Sequence, residues 1–587
     1  MRLRRLFTAL AVLLSVCGCD TQQEQSNPVQ NDVSQTDNSD LSSQDIFEET
    51  ETFSNECFIE LGNTVSIKGT GAWLDGDCIT ISEKGVYTVT GEMSDGMIHV
   101  DTTDTVKIIL NDADITNKSG AVILSGDGKL LIEAAEGTEN NLKDGKEYDF
   151  AHSFENEELH RSAIHTDGEL FISGTGKISI NARYKDAVYG GDGLYLNGCS
   201  LDIEADKAGI GSEKLIEAVN CTMNVLSEGD CIKTESDSEG GITLDNCNLT
   251  LSTEKDGIQS GNKLQVNGGS INVNTSGDIL ADTELSSKGI KAAQMNISGS
   301  TVTVNSTDHS IKCDGEAVID GGNLTLSSLS GKGITSEGVL TINADITIGG
   351  STEGIESKTT LNINGGNINV ISSDDGLNTG GDDILTDHSL NISGGQIVIN
   401  AGGDGIDANG DINVTGGTVV VFGPDNNANS SLDSGDFGYK TNVSGGYILA
   451  MGSMGMMSTP SGECVSSLTF SAAEGAEIIV QDESGNAIAS VAAPKAVNGL
   501  IFCGDNATSF KILLNGSQIA TEEGFNGGFG GMGGFGGGDR GGRGGRGEKP
   551  GNMPQLPDGT VPEMPEGGFD MIPPGGNFMD NQETSSI

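Results

Sequence analysis

The sequence predicts an all-β fold: a right-handed parallel β-helix, a three-sheet solenoid of about 22 residues per coil, with a small β cap and disordered tails. Three observations carry the prediction. In stretches such as "LNINGGNINVISSDDGLNTGGDD" (361–383), Leu361, Ile363, Ile368 and Val370 alternate with Asn, so the apolar side chains share one face of extended backbone. A small residue followed by Ile, Val or Leu recurs at Ile164, Val188, Ile210, Ile232, Ile258, Ile290, Ile311, Ile334, Ile355, Leu377 and Ile406. The 587 residues hold 88 Gly but only 4% aromatics, which suits an interior of aliphatic rungs repeated many times.

Each unit reads small-Ile-x-Ser/Thr, then Leu-x-Ile-x-Gly-Gly, then x-Ile-x-Val: three short strands separated by tight corners, with no helical period. Because the pattern returns in the same order, each strand must stack on its counterpart one coil later, about 4.8 Å away. Eleven to thirteen coils would form a rod about 50 to 60 Å long. The hydroxyls two positions after the repeat's apolar residue (Thr166, Ser212, Thr234, Ser260, Ser336, Ser357, Thr379) are expected as an outward ladder. Cys199, Cys221 and Cys247 recur at repeat spacing and read as a column of small buried thiols, with a disulfide framework as the alternative.

The boundaries follow from composition. Residues 1–19 carry Arg2, Arg4 and Arg5, an apolar run from Leu6 to Val16 and then "VCGC", which resembles a bacterial lipoprotein signal with Cys19 as the lipidated residue. Polar residues 20–51 form a tether, residues 52–464 the β-helix, and residues 465–523, which lose the rhythm, a C-terminal β cap. The Gly-rich and Pro/Met-rich tail, 524–587, is disordered by composition. This places the chain on the extracellular face of the cell membrane, held by the N-terminal lipid alone. With 85 acidic against 31 basic residues and a formal charge of −54, nucleic acid is excluded as a partner, and an acidic glycan needs a bridging cation.

Calcium is the cofactor that the acidic corners suit, since it accepts six to eight hard oxygen ligands in irregular geometry. Asp374 and Asp375 lie just before Leu377, and Asp404 occupies the column of Asp375 one coil later. Asp407 and Asp411 follow, and the insertion "GGDDILTD" adds Asp382 and Asp383. The alternative is a solvated acidic face. "GGDG" (190–193), with Asp186 and Asp192, is a second acidic corner. Tyr184, Tyr189 and Tyr195 form the aromatic cluster among the coils and are the candidate sugar-binding residues, with packing against a corner as the other reading. No catalytic residue stands out. Arg161, Lys185, Lys207 and Lys255 share one column and Lys233, Lys291 and Lys312 another, and they read as cations interleaved with Asp230, Asp256 and Glu353 to relieve charge.

"GTENNLKDGKEY" (137–148), "AIHTDGELFISGTGKISINA" (163–182), the repeats, and "SSLDSGDFGYKTNVSGGYILAMGSMGM" (430–456) together resemble the clostridial carbohydrate-binding β-helix family, whose founding member resembles polysaccharide lyases in fold. The resemblance spans roughly residues 55 to 520. It implies calcium sites and affinity for a plant cell-wall polysaccharide of the cellulose or pectic acid type. The expected function is therefore polysaccharide binding at the cell surface. A calcium-dependent pectate lyase, with Lys233 or Lys255 as base, and a surface adhesin or stalk remain the alternatives.

Overall fold

The computed structural model describes residues 51–148, 162–277, 286–380 and 388–523, apart from 427, 436–437, 454–456, 459, 463, 505–509 and 520–521. Among these residues every regular element is a strand, and the strands climb as a parallel β-helix. One inward column sets its frame. The eleven residues of the sequence repeat pair in register from Ile164 to Ile406. The column continues through Ile123, Ile98 and Ile79 at one end and to Leu432 at the other, fourteen steps in all. All fifteen side chains are fully buried, each removing an aliphatic group worth about 1.5–3 kcal/mol from water.

Each coil opens with a strand of about three residues, such as Ile334–Ser336, and the remaining strands build the second and third sheets. In several coils these two merge into one bent strand, as in Leu340–Ile348 and Asp411–Phe422, whose buried positions alternate with half-buried or exposed ones along much of their length.

The small residue before each inward Ile has a steric cause. A Cβ on Gly376 would lie 2.2 Å from Cγ2 of Ile399, and one on Gly405 would lie 2.1 Å from Cγ1 of Val421. The branched side chains of the third sheet occupy that space, so the column stays small.

The hydroxyl ladder is buried, contrary to the expectation that it faces outward: Thr166, Ser212, Thr234, Ser336, Ser357 and Thr379 have no exposed surface. Period-2 geometry puts position i+2 on the same side as the inward residue. Thr166, Ser212 and Ser357 each donate to the corner carbonyl of a neighbouring coil, at Gly126, Gly190 and Gly338, over 2.7–2.8 Å. Cys199, Cys221 and Cys247 are free and buried, with the first two sulfurs 3.3 Å apart.

Both ends are covered by antiparallel strands, which removes the open edges a solenoid would otherwise present. Ser66–Lys68 folds back on Glu56–Leu61, and Ala72–Asp75 on Cys78–Ile81. At the far end Thr441–Met451 pairs with Val497–Gly504, which pairs with Cys464–Ala472, and a disulfide joins Cys464 to Cys503. Val420, Phe422 and Leu449 point outward from the last coils into a second apolar core with Val480 and Phe502, which is why the alternation breaks at "TVVVF".

Candidate functional site

The outer face of the short-strand sheet carries two side-chain columns. One position after the inward residue stand, in order, His165, Tyr189, Gly211, Lys233, Gln259, Lys291, Lys312, Thr335, Glu356, Asn378, Asp407 and Asp433. Two positions before it, Asp186, Asp230, Asp256, Lys288, His309, Lys332, Glu353, Asp375 and Asp404 share the second column.

The three candidate tyrosines occupy different surfaces. Tyr184, at a corner, stacks on Tyr148 with ring centroids 4.4 Å apart, and Tyr195, on the second sheet, stacks on Phe171 at 4.4 Å. Tyr189 stacks on His165 at 5.4 Å, with the planes 7° apart. The next residue in its column is Gly211, whose added Cβ would lie 3.3 Å from the Tyr189 ring, so that rung brings no side chain of its own against it. Beside it lies a cleft of about 250 Å3, lined by His165, Asp167, Asp186, Tyr189, Gly191, Asp192, Glu213, Lys214 and Glu235. The second acidic corner of the sequence, Asp186 and Asp192, thus becomes part of the wall: Asp186 accepts the N–H of Ala208 at 3.0 Å and Asp192 pairs with Lys214 at 2.9 Å. Sequence reasoning missed His165, Gly211 and Lys214; reading the column after the inward residue across coils would have found the first two.

Ser162, His165 and Asp167 mimic a nucleophilic triad, with Ser162 Oγ 3.2 Å from Nδ1 and Asp167 3.1 Å from Nε2 of the imidazole. Ser162 is completely buried and donates to the Ile164 carbonyl at 2.9 Å. The arrangement therefore orients His165 beneath Tyr189 rather than presenting a nucleophile to the cleft.

About 40 Å along the same face, eight and nine coils on from Tyr189, Asp374, Asp375, Asp404 and Asp407 gather with Glu353 and Asp433. Oδ1 of Asp375 accepts the N–H of Asp404 at 2.7 Å, and Oδ1 of Asp404 accepts that of Ser430. Asn378 donates to Glu353 at 3.2 Å and to the other oxygen of Asp375 at 3.4 Å. A Cβ on Gly403 would strike Oδ1 of both Asp374 and Asp375, at 2.3 and 2.6 Å, so glycine makes room for these carboxylates.

Burial first, and then the neighbouring carboxylates, push Asp375 and Asp407 up to about 7 and raise Asp404 as well. Asp411 is not brought to this group: it opens a second-sheet strand and accepts the N–H of Lys440 at 2.7 Å. Asp382, Asp383 and Cys19 lie outside the described residues. The oxygens present are the hard donors that calcium prefers, yet among the described residues no three His, Cys, Asp or Glu side chains converge to cage an ion.

The basic residues are segregated along the face. Lys288, Lys291, His309, Lys312 and Lys332 occupy three successive coils, and Glu353, Glu356, Asp375, Asp404 and Asp407 follow, while Asp308, Asp314 and Glu337 lie within 4 Å of Lys288 or Lys312. Lys233 stands 3.9 Å from Asp230 and 3.8 Å from Glu235, held between two carboxylates.

A family model described as carbohydrate-binding domain-containing protein matches residues 75–331 and 324–485. A carbohydrate-binding domain-containing protein of Acetivibrio thermocellus is 28% identical over 130 residues, 22% of this chain and 45% of that protein, so the chain spans less than half of that relative's length. A solved polysaccharide lyase-like protein from C. thermocellum, a gadolinium derivative, aligns at 21% identity over 50% of this chain and 96% of its own, with a TM-score of 0.30.

Proposed function

The chain belongs to this carbohydrate-binding domain-containing family, and from that premise we propose that it binds a cell-wall polysaccharide along the outer face of the short-strand sheet without cleaving it. The observation that carries the reading is the cleft at Tyr189, which an aromatic ring lines together with carboxylates and Lys214, and into which the neighbouring rung, Gly211, brings no side chain. A pyranose presents C–H groups on its face and hydroxyls at its rim, which matches a ring bordered by acceptors and a donor.

In this reading the acidic group at Asp374, Asp375, Asp404 and Asp407 takes calcium with the help of oxygens from the glycan, since its own side chains do not complete a cage. Calcium would there link an acidic polymer to a chain of charge −54. Anchoring through a lipid on Cys19 would display the rod outside the membrane. Cys19→Ala is then expected to release the chain from the membrane fraction or leave it unprocessed.

The test is retention of the full chain on cellulose and on pectate, each with calcium and with chelator. Binding to at least one polymer, lost in Tyr189→Ala or in Asp375→Asn/Asp404→Asn, is the expected result. Retention on neither polymer would end the reading. Accumulation of unsaturated, ultraviolet-absorbing products would turn it towards a lyase.

A further inference from the structure

The block of cations between the cleft and the acidic group is unusual in this molecule. Only 31 of 587 residues are basic, yet four lysines and a histidine stand side by side in two adjacent columns over three coils, at rungs about 4.8 Å apart.

Carboxylates approach three of the four lysines, with Glu356 against Lys332 at 2.5 Å among them. Lys288 reaches Asp308 at 2.7 Å, Lys312 pairs with Glu337 and lies 3.6 Å from Asp314, and Lys332 reaches Glu353 at 3.1 Å. Lys291, half-buried in the same block, has no carboxylate within 4.0 Å among the described residues. His309 lies between them: burial holds its imidazole below its ordinary value, Asp308 3.7 Å away opposes this, and Lys288, Lys312 and Lys332 add to it.

We propose that this block is a metal-independent subsite for an anionic substituent of the bound glycan, a uronate carboxylate or a sulfate ester, held directly by Lys291 with Lys288 and Lys312 beside it. The inference rests on the carbohydrate-binding reading and extends it, because the block lies on the same face as the Tyr189 cleft. A glycan lying along the rod would meet the aromatic ring, the cations and the acidic group in turn. Lysine ammonium groups carry three donors each and recognise a charged oxygen cluster as point charges, without the fork geometry of arginine.

The experiment is titration of the full chain, with chelator throughout, against three probes: oligogalacturonate, a sulfated glucan oligosaccharide and a neutral gluco-oligosaccharide. Oligogalacturonate or the sulfated oligomer is expected to bind, weakening as salt rises. Lys291→Gln is expected to cost about tenfold for that probe, the loss of one charge-assisted contact. Lys291→Arg should recover most of it, and the neutral oligomer should be unaffected by either change. Whichever anionic probe shows the loss identifies carboxylate or sulfate as the group recognised.

The proposal is overturned if the neutral oligomer binds in chelator while neither anionic probe does. It is equally overturned if Lys291→Gln leaves anionic affinity unchanged, whatever it does to the melting temperature. Binding of none of the three in chelator likewise overturns the proposal, and a repeat with calcium then judges the carbohydrate-binding reading separately, since that reading fails only if no probe binds with the ion either.

Discussion

The ring of Tyr189 lies parallel to the imidazole of His165, centroids 5.4 Å apart, while its other neighbour in the column is Gly211. Stacked columns usually satisfy an aromatic face from both coils, and here one coil has been left without a side chain. The backbone at Gly211 lies outside the left-handed region that favours glycine, so the only tight contact a Cβ would make is with the Tyr189 ring at 3.3 Å, which a small shift of the ring relieves. Gly211→Leu should therefore fill the cleft, keep the melting temperature within a few degrees, and weaken glycan binding about as much as Tyr189→Ala, tenfold or more. Calorimetric titration of both variants checks this; normal affinity in Gly211→Leu would show that the sugar sits elsewhere.

The solenoid was legible in the sequence because each rung repeats one constraint. Ile, Val or Leu must point inward, and the residue before it must be small because a branched side chain of the third sheet fills the space above. The entry coils were harder to read. Ile79, Ile98, Ile123 and Ile164 stand 19, 25 and 41 residues apart, so insertions hide a column that pairs without interruption. The site was less legible still. Tyr184, Tyr189 and Tyr195 are close in sequence, but a coil turns the chain from corner to first sheet to second within a dozen residues and sends the three rings to different surfaces. Asp375 and Asp404 were found because the repeat itself aligns them, whereas Asp411 falls beyond the corner that ends the short strand.

Asp144 offers a pH test away from the proposed ligand sites. It is fully buried, accepts the Tyr148 hydroxyl at 2.8 Å and the N–H of Arg183, and burial pushes it up to about 6. A carboxyl raised in the folded state binds its proton more tightly there than in the unfolded chain. Its contribution is therefore complete below the ordinary carboxylate value near 4 and is lost as pH rises through about 6. Glu217 and Asp230 are raised by burial as well, with the same sign. The melting temperature should thus fall between pH 4.5 and 7, and Asp144→Asn should flatten part of that fall. A variant that tracks the parent at every pH would place the proton elsewhere.

The cap can be separated from the rod by its disulfide. Cys464 and Cys503 close a loop across 39 residues and tie together two neighbouring antiparallel strands, a constraint worth about 4 kcal/mol for a loop of that size. The Cys464→Ser/Cys503→Ser variant should expose the second apolar core at lower temperature while the coils upstream keep their protection. Hydrogen exchange read by peptide resolves the two: early exchange confined to residues 464–504 is expected, and simultaneous loss throughout the rod would show that cap and solenoid unfold as one unit.

The acidic group supplies the calcium prediction. Asp375 gives one oxygen to the N–H of Asp404, and Asp404 one to that of Ser430, so each turns its second oxygen towards Asp374 and Asp407, that of Asp375 shared with the Asn378 amide at 3.4 Å. A cation bound there stabilises only the folded chain, by about 2.7 kcal/mol when calcium stands a hundredfold above its dissociation constant, and chelator should remove that increment. Asp375→Asn/Asp404→Asn keeps a carbonyl oxygen for each backbone N–H and relieves the mutual repulsion of the carboxylates. The variant should therefore melt no lower than the parent in chelator, yet gain nothing from calcium. The comparison is a pair of melting curves for each protein, with and without the ion. If the parent's curve does not move, the carboxylates are a solvated face; if the variant still responds, the ion binds at another part of the rod.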